Sequence, residues 1–362
     1  MKFNLELKKL LKGTDNVSNA ITGSSTLPIL EGILVKADKN KLILTGSDVQ
    51  TTITCTLDAQ IDEDGSIIVD KDFFVKLKKF DNENIEFKKI DNENNTSIVC
   101  GKTKVELAVM GKEEDFALPE SIEDGKSFTI SGKDFKKLIK STSYAAAEDE
   151  TRPILMGVLF KCANKKLDVV ALDGYRLALN AISIDCEEEF ELVIPNKTIT
   201  TVSKLATDSD IKISFTEKRV VFTFDNIVLS STLLEGKFIN YNSLIPQESN
   251  MKLTVDSKTF KSSIDKCSSF ETEKALMFKI TKDTIKVRTL KSDLGQVEDE
   301  LPCVSDGELE LAFNPKYLMD CLNVVEGEVE MYFQGAQSPC LVRTPKNKEL
   351  LGLVLPVRLM GK

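Results

Sequence analysis

The chain of 362 residues contains no histidine. That removes Ser-His-Asp and Cys-His nucleophilic systems, imidazole metal sites and the usual general base. Carboxylate and lysine chemistry remain open. The acidic pair Glu113–Glu114 and the run Glu187–Glu188–Glu189 lie among turn-forming residues and read as solvated charge. Eight cysteines stand at positions 55, 100, 162, 186, 267, 303, 321 and 340, none in CxxC spacing. They are expected to be reduced, small and buried rather than bridged or metal-bound. No GxxxxGK[ST] loop, no GxGxxG after a strand and no GxSxG elbow is present. The sequence therefore predicts a protein that binds, with no catalytic residue, metal or cofactor.

Length points to several cores, because a single core stops growing near 250–300 residues. No run of about 18 apolar residues is present, and MKFNLELKKLLKG at the N-terminus is too charged for a signal peptide. The expectation is a cytoplasmic protein that does not enter a membrane.

A repeat organises the chain. FNLELKKLLKGTDNVSNAI from Phe3, FTISGKDFKKLIKSTSYAAA from Phe128 and LTVDSKTFKSSIDKCSSF from Leu253 each read as a short strand and an amphipathic helix. Ser131 and Asp256 are expected N-caps. A second strand and helix follows in each copy, at 66–80, 191–206 and 308–324, with Lys71, Lys197 and Lys316 in matching places. Alternating strands lie between, with Asp-Gly, Asn-Lys and Lys-Asn pairs at the turns. The fold class expected is α+β, with three similar domains, each placing two helices against antiparallel sheet. The expected boundaries are 1–121, 122–246 and 247–362.

Charge follows the repeat. The net charge of −9 argues against a phosphate-rich partner. Yet the six helical stretches (1–20, 70–80, 131–147, 195–207, 256–270 and 314–325) hold 18 basic and 8 acidic residues, a surplus of +10 against −19 for the remainder. A basic helix layer inside an acidic shell suits a polyanion held by its phosphates, without sequence readout. An enzyme using a carboxylate-bound metal on nucleic acid, and a protein-only scaffold with solvated helices, are the competing readings.

The segments YAAAEDETRPILMGVLF (144–160) and LDVVALDGYRLAL (167–179) resemble the bacterial DNA polymerase III β subunit, the sliding clamp. So do SSTLPILEGILVKADKNKLILTGSD (24–48), LLEGKFINYNSLIP (233–246), AFNPKYLMDCLNVV (312–325) and LVLPVRL (353–359), in order over the whole chain. TRPIL at 151–155 looks like the form found in Gram-positive bacteria. The resemblance implies a DNA-clamp fold of three domains whose chains pair into a homodimeric ring of six, lined by helices and encircling duplex DNA of any sequence. It implies a processivity factor that tethers the replicative polymerase α subunit, the clamp loader and other proteins with a clamp-binding motif.

Candidate phosphate-facing residues are then Lys8, Lys9, Lys12, Lys76, Lys78, Lys79, Lys133, Lys136, Lys137, Lys140, Lys197, Lys204, Lys258 and Lys261 on the helices, with Arg152 on a loop near the channel. Ser24 and Ser25 stand where family members often carry a basic residue. A partner-peptide pocket between the second and third domains is implied at Leu155, Leu172, Gly174, Tyr175, Arg176, Leu177, Ile239, Ser243, Leu244, Asn314 and Tyr317, and at Leu353, Val354, Leu355, Pro356, Val357, Arg358 and Leu359. Leu172, Tyr175 and Ile239 depart from the family's commoner residues, and Met360–Lys362 extend past its usual end. Val105 and Leu107 on an edge strand, with Phe270, are the expected ring interface.

Overall fold

A computed structural model describes residues 1–22, 27–80, 84–89, 95–119, 125–270, 274–290 and 295–358. Ser24, Ser25, Leu359 and Met360–Lys362 lie outside the described residues. Six α-helices are present among them: α1 (Leu7–Ser18), α2 (Lys71–Leu77), α3 (Gly132–Thr142), α4 (Asn196–Leu205), α5 (Ser257–Ser268) and α6 (Pro315–Leu322). Each lies close behind a strand, so the strand–helix unit recurs six times as the repeat predicts. The helices are shorter than the basic stretches read from sequence. Residues at the start of the first stretch form the strand Lys2–Glu6, whose alternating burial matches a half-covered strand rather than a helix.

Local chemistry sets the helix ends. Asp70 and Asp256 accept from backbone N–H groups of Asp72 and Thr259 at 2.7 and 2.9 Å, and Asn314 accepts from Lys316 N at 3.0 Å. These side chains satisfy donors that a helix start leaves unpaired. The reversal between strands Gly157–Ala163 and Lys166–Leu172 places Asn164 and Lys165 at φ +52° and +61°, the two left-handed residues of a type I′ turn. Buried positions in α1 are Leu7, Leu10, Gly13, Thr14 and Val17, a stripe at helical spacing that leaves Lys8 and Lys12 on the other side.

The described chain forms two compact units. One comprises Met1–Lys133 and Lys197–Leu233, the other Asp134–Asn196 and Leu234–Lys362. The first holds a five-stranded sheet in the order Gln60–Glu63, Lys2–Glu6, Asn84–Lys89, Asn95–Cys100, Thr103–Ala108. It also holds an eight-stranded sheet made from the first and second copies. Strand Ile227–Thr232 of the second pairs antiparallel with Thr51–Asp58 of the first, Ile227 opposite Cys55 and Ser231 opposite Thr51. Helix α1 packs on this sheet through strands Lys41–Ser47 and Thr51–Asp58.

The second unit repeats the device. Strand Arg176–Ser183 of the second copy pairs antiparallel with Asn347–Val354 of the third, Arg176 opposite Val354 and Leu179 opposite Leu351, in a nine-stranded sheet. A four-stranded sheet runs Glu298–Pro302, Thr284–Thr289, Leu276–Ile280, Leu309–Phe313. Between these layers Phe260, Phe278 and Phe313 meet edge to face, with ring centres 6.0 and 5.7 Å apart. Each such buried ring contributes roughly 1.5–3 kcal/mol by leaving water. None of the eight cysteines forms a disulfide; seven are buried and Cys303 is half-buried. Burial lifts the Cys321 thiol to about 11. Among the described residues no helix is long and apolar enough to cross a membrane.

Gly352 lies in the strand that joins the two copies, and a side chain there would run into Cys321 Sγ of α6. Gly352→Ala is expected to lower stability by about 1–3 kcal/mol through overpacking. Cys321→Ala in the same chain should recover much of that loss. Urea denaturation of the two single variants and the double variant checks both.

Candidate functional site

The turn Asp173–Arg176 connects strand Lys166–Leu172 to the junction strand and organises a cleft. Asp173 Oδ1 accepts from the backbone N–H of Tyr175 at 2.8 Å and of Arg176 at 3.0 Å. Gly174 carries φ +93°, which a residue with a Cβ would resist. The turn thus points Tyr175 outward, 60% exposed, and Arg176 inward, 6% exposed.

Arg176 is the pin of the cleft. Its Nε donates to Asp173 Oδ2 at 2.9 Å and its Nη1 to Asp320 Oδ2 on α6 at 2.6 Å. Its guanidinium lies 4.6 Å from the ring centre of Tyr317 and 5.7 Å from that of Tyr144. Burial works against the charge, but the hydrogen bonds to Asp320 and Asp173 outweigh it and raise the Arg176 pKa. Tyr175 stacks on Tyr317 with ring centres 5.9 Å apart, so an aromatic pair links the second copy to α6 of the third.

The cleft measures about 490 Å³ and is lined by Ala146, Ala147, Glu148, Asp149, Thr151, Arg152, Leu155, Asp173, Gly174, Tyr175, Arg176, Lys316 and Tyr317. Of the residues the sequence assigns to the pocket, Leu155, Gly174, Tyr175, Arg176 and Tyr317 line it. Leu172, Leu177 and Leu353 are packed with Leu155 in one apolar cluster, with Leu355 against it. Val354 is fully buried in the ladder.

The remaining assignments stand apart from the lining. Asn314 caps α6. Ser243 Oγ donates to Asn240 O at 2.7 Å, while Ile239 and Leu244 are exposed on their own loop. Val357 N donates to Ala312 O at 2.8 Å, Pro356 is half-buried and Arg358 is exposed. The loop residue Arg152, expected near a DNA channel, is placed in the cleft wall. Sequence reading missed Glu148, Asp149, Asp173, Lys316 and Asp320. The Asp-Gly turn signal at 173–174 was legible, but the reach of Arg176 to Asp320 is 144 residues long and has no local signature.

The helix lysines divide by partner. Lys9 lies 3.6 Å from Glu6, Lys78 is 2.7 Å from Asp15, Lys197 is 3.2 Å from Asp48, and Lys204 donates to Asn19 at 3.0 Å. Lys136 and Lys261 are half-buried. Lys8, Lys12, Lys76, Lys79, Lys133, Lys137, Lys140 and Lys258 are exposed, and none makes an ion pair among the described residues. In α3, Lys133, Lys137 and Lys140 follow the i, i+4, i+7 spacing of one helix face. Strand Thr103–Ala108 ends its sheet with one side unpaired among the described residues, Val105 and Leu107 half-buried on it. Phe270, just past α5, is 68% exposed.

Three family models match the chain, for the N-terminal, central and C-terminal domains of the DNA polymerase III beta subunit, over residues 1–119, 129–240 and 242–358. The beta sliding clamp of Bacillus subtilis is 32% identical over 99% of this chain and 100% of that protein, and that of Staphylococcus epidermidis 30% over 99% of each. The crystal structure of the DNA polymerase sliding clamp from Bacillus subtilis superposes with a TM-score of 0.95 at 31% identity, covering 99% of both chains. A putative DNA polymerase III beta subunit from Eubacterium rectale gives 0.93 at 27%, over 99% and 100%.

Asp320→Ala leaves the buried Arg176 charge with one carboxylate in place of two. It is expected to cost about 1–3 kcal/mol, the penalty of an unmet hydrogen bond to a charged group. The check is a lower urea midpoint than wild type, while Glu328→Ala, an exposed carboxylate outside any ion pair among the described residues, shifts it little.

Proposed function

The chain belongs to the DNA polymerase III beta subunit family, the sliding clamps, and from that premise we propose how its own residues perform the clamp's task. It is a DNA sliding clamp of three clamp domains. Two copies close into a ring of six domains around duplex DNA, and the ring tethers the replicative polymerase α subunit, the clamp loader and other motif-bearing proteins. The domains run 1–121, 122–246 and 247–362, and the chain acts in the cytoplasm without a catalytic site of its own.

The observation that carries the DNA-holding reading is the set of exposed lysines on the first helix of each copy that make no ion pair among the described residues: Lys8 and Lys12 on α1, Lys133, Lys137 and Lys140 on α3, and Lys258 on α5. Exposed ammonium groups at helical spacing neutralise phosphates without touching base edges, so binding is indifferent to sequence. Lys8, Lys12, Lys133, Lys137, Lys140 and Lys258 are the best supported contacts, because none makes an ion pair among the described residues. Lys9, Lys78 and Lys197 must first leave an acidic neighbour. The negative total charge suits a topological link, which needs little direct affinity.

Ring closure is proposed at two sheet edges. Thr103–Ala108 presents Lys104 with Val105 and Leu107, and Glu298–Pro302 presents Glu298 and Glu300 beside Lys286. Edge pairing of two such strands from different chains satisfies open backbone groups, while Lys104 already pairs with Glu106 on its own strand. Phe270 is exposed as an apolar side chain awaiting a partner surface would be. The cleft at Leu155, Tyr175 and Tyr317 is proposed to take a partner peptide, its aliphatic and aromatic side chains anchored over the buried leucines.

Solution mass should be twice the 40.2 kDa chain. Protein loaded on circular DNA should be retained and then released on linearisation. A monomer at all concentrations, or equal retention on both forms, refutes the clamp reading; cleavage of labelled DNA with Mg²⁺ refutes its non-enzymatic character. Replacing Lys133, Lys137 and Lys140 by Ala should lower the salt slope of direct duplex binding by roughly 0.9 for each phosphate no longer neutralised, equally for unrelated sequences.

A further inference from the structure

The two junctions between copies are built on the same turn, and the difference between them isolates one cation. At the first junction Asp48 N donates to Thr51 O at 3.1 Å and Thr51 N to Asp48 Oδ1 at 2.7 Å, with Val49 at φ +76° between them. At the second, Asp173 N donates to Arg176 O at 3.3 Å and Arg176 N to Asp173 Oδ1 at 3.0 Å, with Gly174 at φ +93°. Each turn opens the strand that pairs with a strand of the next copy within one sheet.

A lysine stands second in one helix at each junction, Lys197 in α4 and Lys316 in α6. At the first junction Lys197 closes on Asp48 Oδ2 at 3.2 Å, and the next residue, Thr198, is buried against the Ser231 hydroxyl at 2.8 Å. At the second, Arg176 Nε has taken the equivalent oxygen, Asp173 Oδ2. Lys316 is left exposed on the cleft wall with no carboxylate partner among the described residues, and Tyr317 replaces the small Thr198. The same fold position is thus closed at one junction and a free cation at the other.

We infer that Lys316 is a specificity-determining cation of the cleft that receives one carboxylate of the docked partner segment, from an acidic side chain or a terminal carboxyl. This rests on the peptide-docking reading of the cleft. Arg152 lines the same wall as a second exposed cation outside any ion pair among the described residues. Glu148 and Asp149 line it as well, Asp149 Oδ1 already accepting from Thr151 N at 2.8 Å. These two carboxylates balance Lys316 and Arg152, so the cleft as a whole disfavours a polyanion, and attraction for a single carboxylate is confined to the immediate reach of the Lys316 ammonium.

The test measures fluorescence anisotropy at low salt with the full-length chain. The probe is a short peptide with an aliphatic–aliphatic–Phe end, amidated and without charged side chains, carrying fluorescein on an N-terminal spacer that is common to every form. Variants carry Asp at each non-anchor position in turn, or a free C-terminal carboxyl. At least one acidic form should bind wild type about two- to fivefold more tightly than the neutral parent, the range of an exposed ion pair. The form that gains identifies the source of the carboxylate. Lys316→Ala should bring that ratio near one and Lys316→Glu below one, in protein with wild-type circular dichroism. The inference is overturned if no acidic form gains over a parent that binds, or if the gain survives in Lys316→Glu. If neither the parent nor any acidic form binds wild type, the docking reading falls with it.

Discussion

Backbone pairing across copy boundaries is the constraint on which the rest of this chain depends. Ile227–Thr232 adds to the strands of the first copy and Arg176–Ser183 to those of the third. A sheet that continues from one copy into the next leaves no unpaired edge at the boundary, so the ladder hydrogen bonds that hold a domain together also hold its neighbour. The compact units follow the sheets: the middle third of the chain divides between the two, although its sequence is one repeat.

Equivalent positions carry different residues at the two junctions. Thr51 and Arg176 occupy the same place in the same turn. Threonine leaves its aspartate to a lysine. Arginine claims its aspartate, reaches a second one on α6 and supports two tyrosine rings. A planar donor that binds two carboxylates and stacks on aromatics can build a cleft wall, which a lysine cannot do. Arginine for threonine in the turn, together with Tyr317 for Thr198 on the facing helix, accompanies a lysine that is paired at one junction and exposed on a cleft wall at the other.

Charge is arranged on the same plan. Helix faces that the sheets do not cover carry lysines, while Glu298 and Glu300 stand on a sheet edge and Glu187 in a connecting loop. Lysine suits the first role because its long stem keeps the ammonium in water while the helix buries its apolar stripe. The helix lysines Lys9, Lys78, Lys197 and Lys266 are held by carboxylates among the described residues, so net helix charge overstates the field offered to a polyanion.

What the sequence determined by itself is the periodic part. Strand alternation, helix stripes, Asp256 as a cap, the Asn164–Lys165 reversal and the threefold recurrence are local patterns, set by side chains within a few residues of one another. The clamp family was legible too, because ordered motifs over the whole length survive at about 30% identity. The tertiary structure alone decided which of the implied pocket residues share a wall. Leu172, Leu177 and Leu353 read the same as Leu155 in sequence, yet only Leu155 reaches the cleft surface from their common cluster. Burial of an apolar side chain is fixed by what packs over it, and here the covering elements come from strands and helices far away in the chain, as the 144-residue span from Arg176 to Asp320 shows. The freed state of Lys316 has the same origin: it depends on an arginine in another copy having taken the aspartate first.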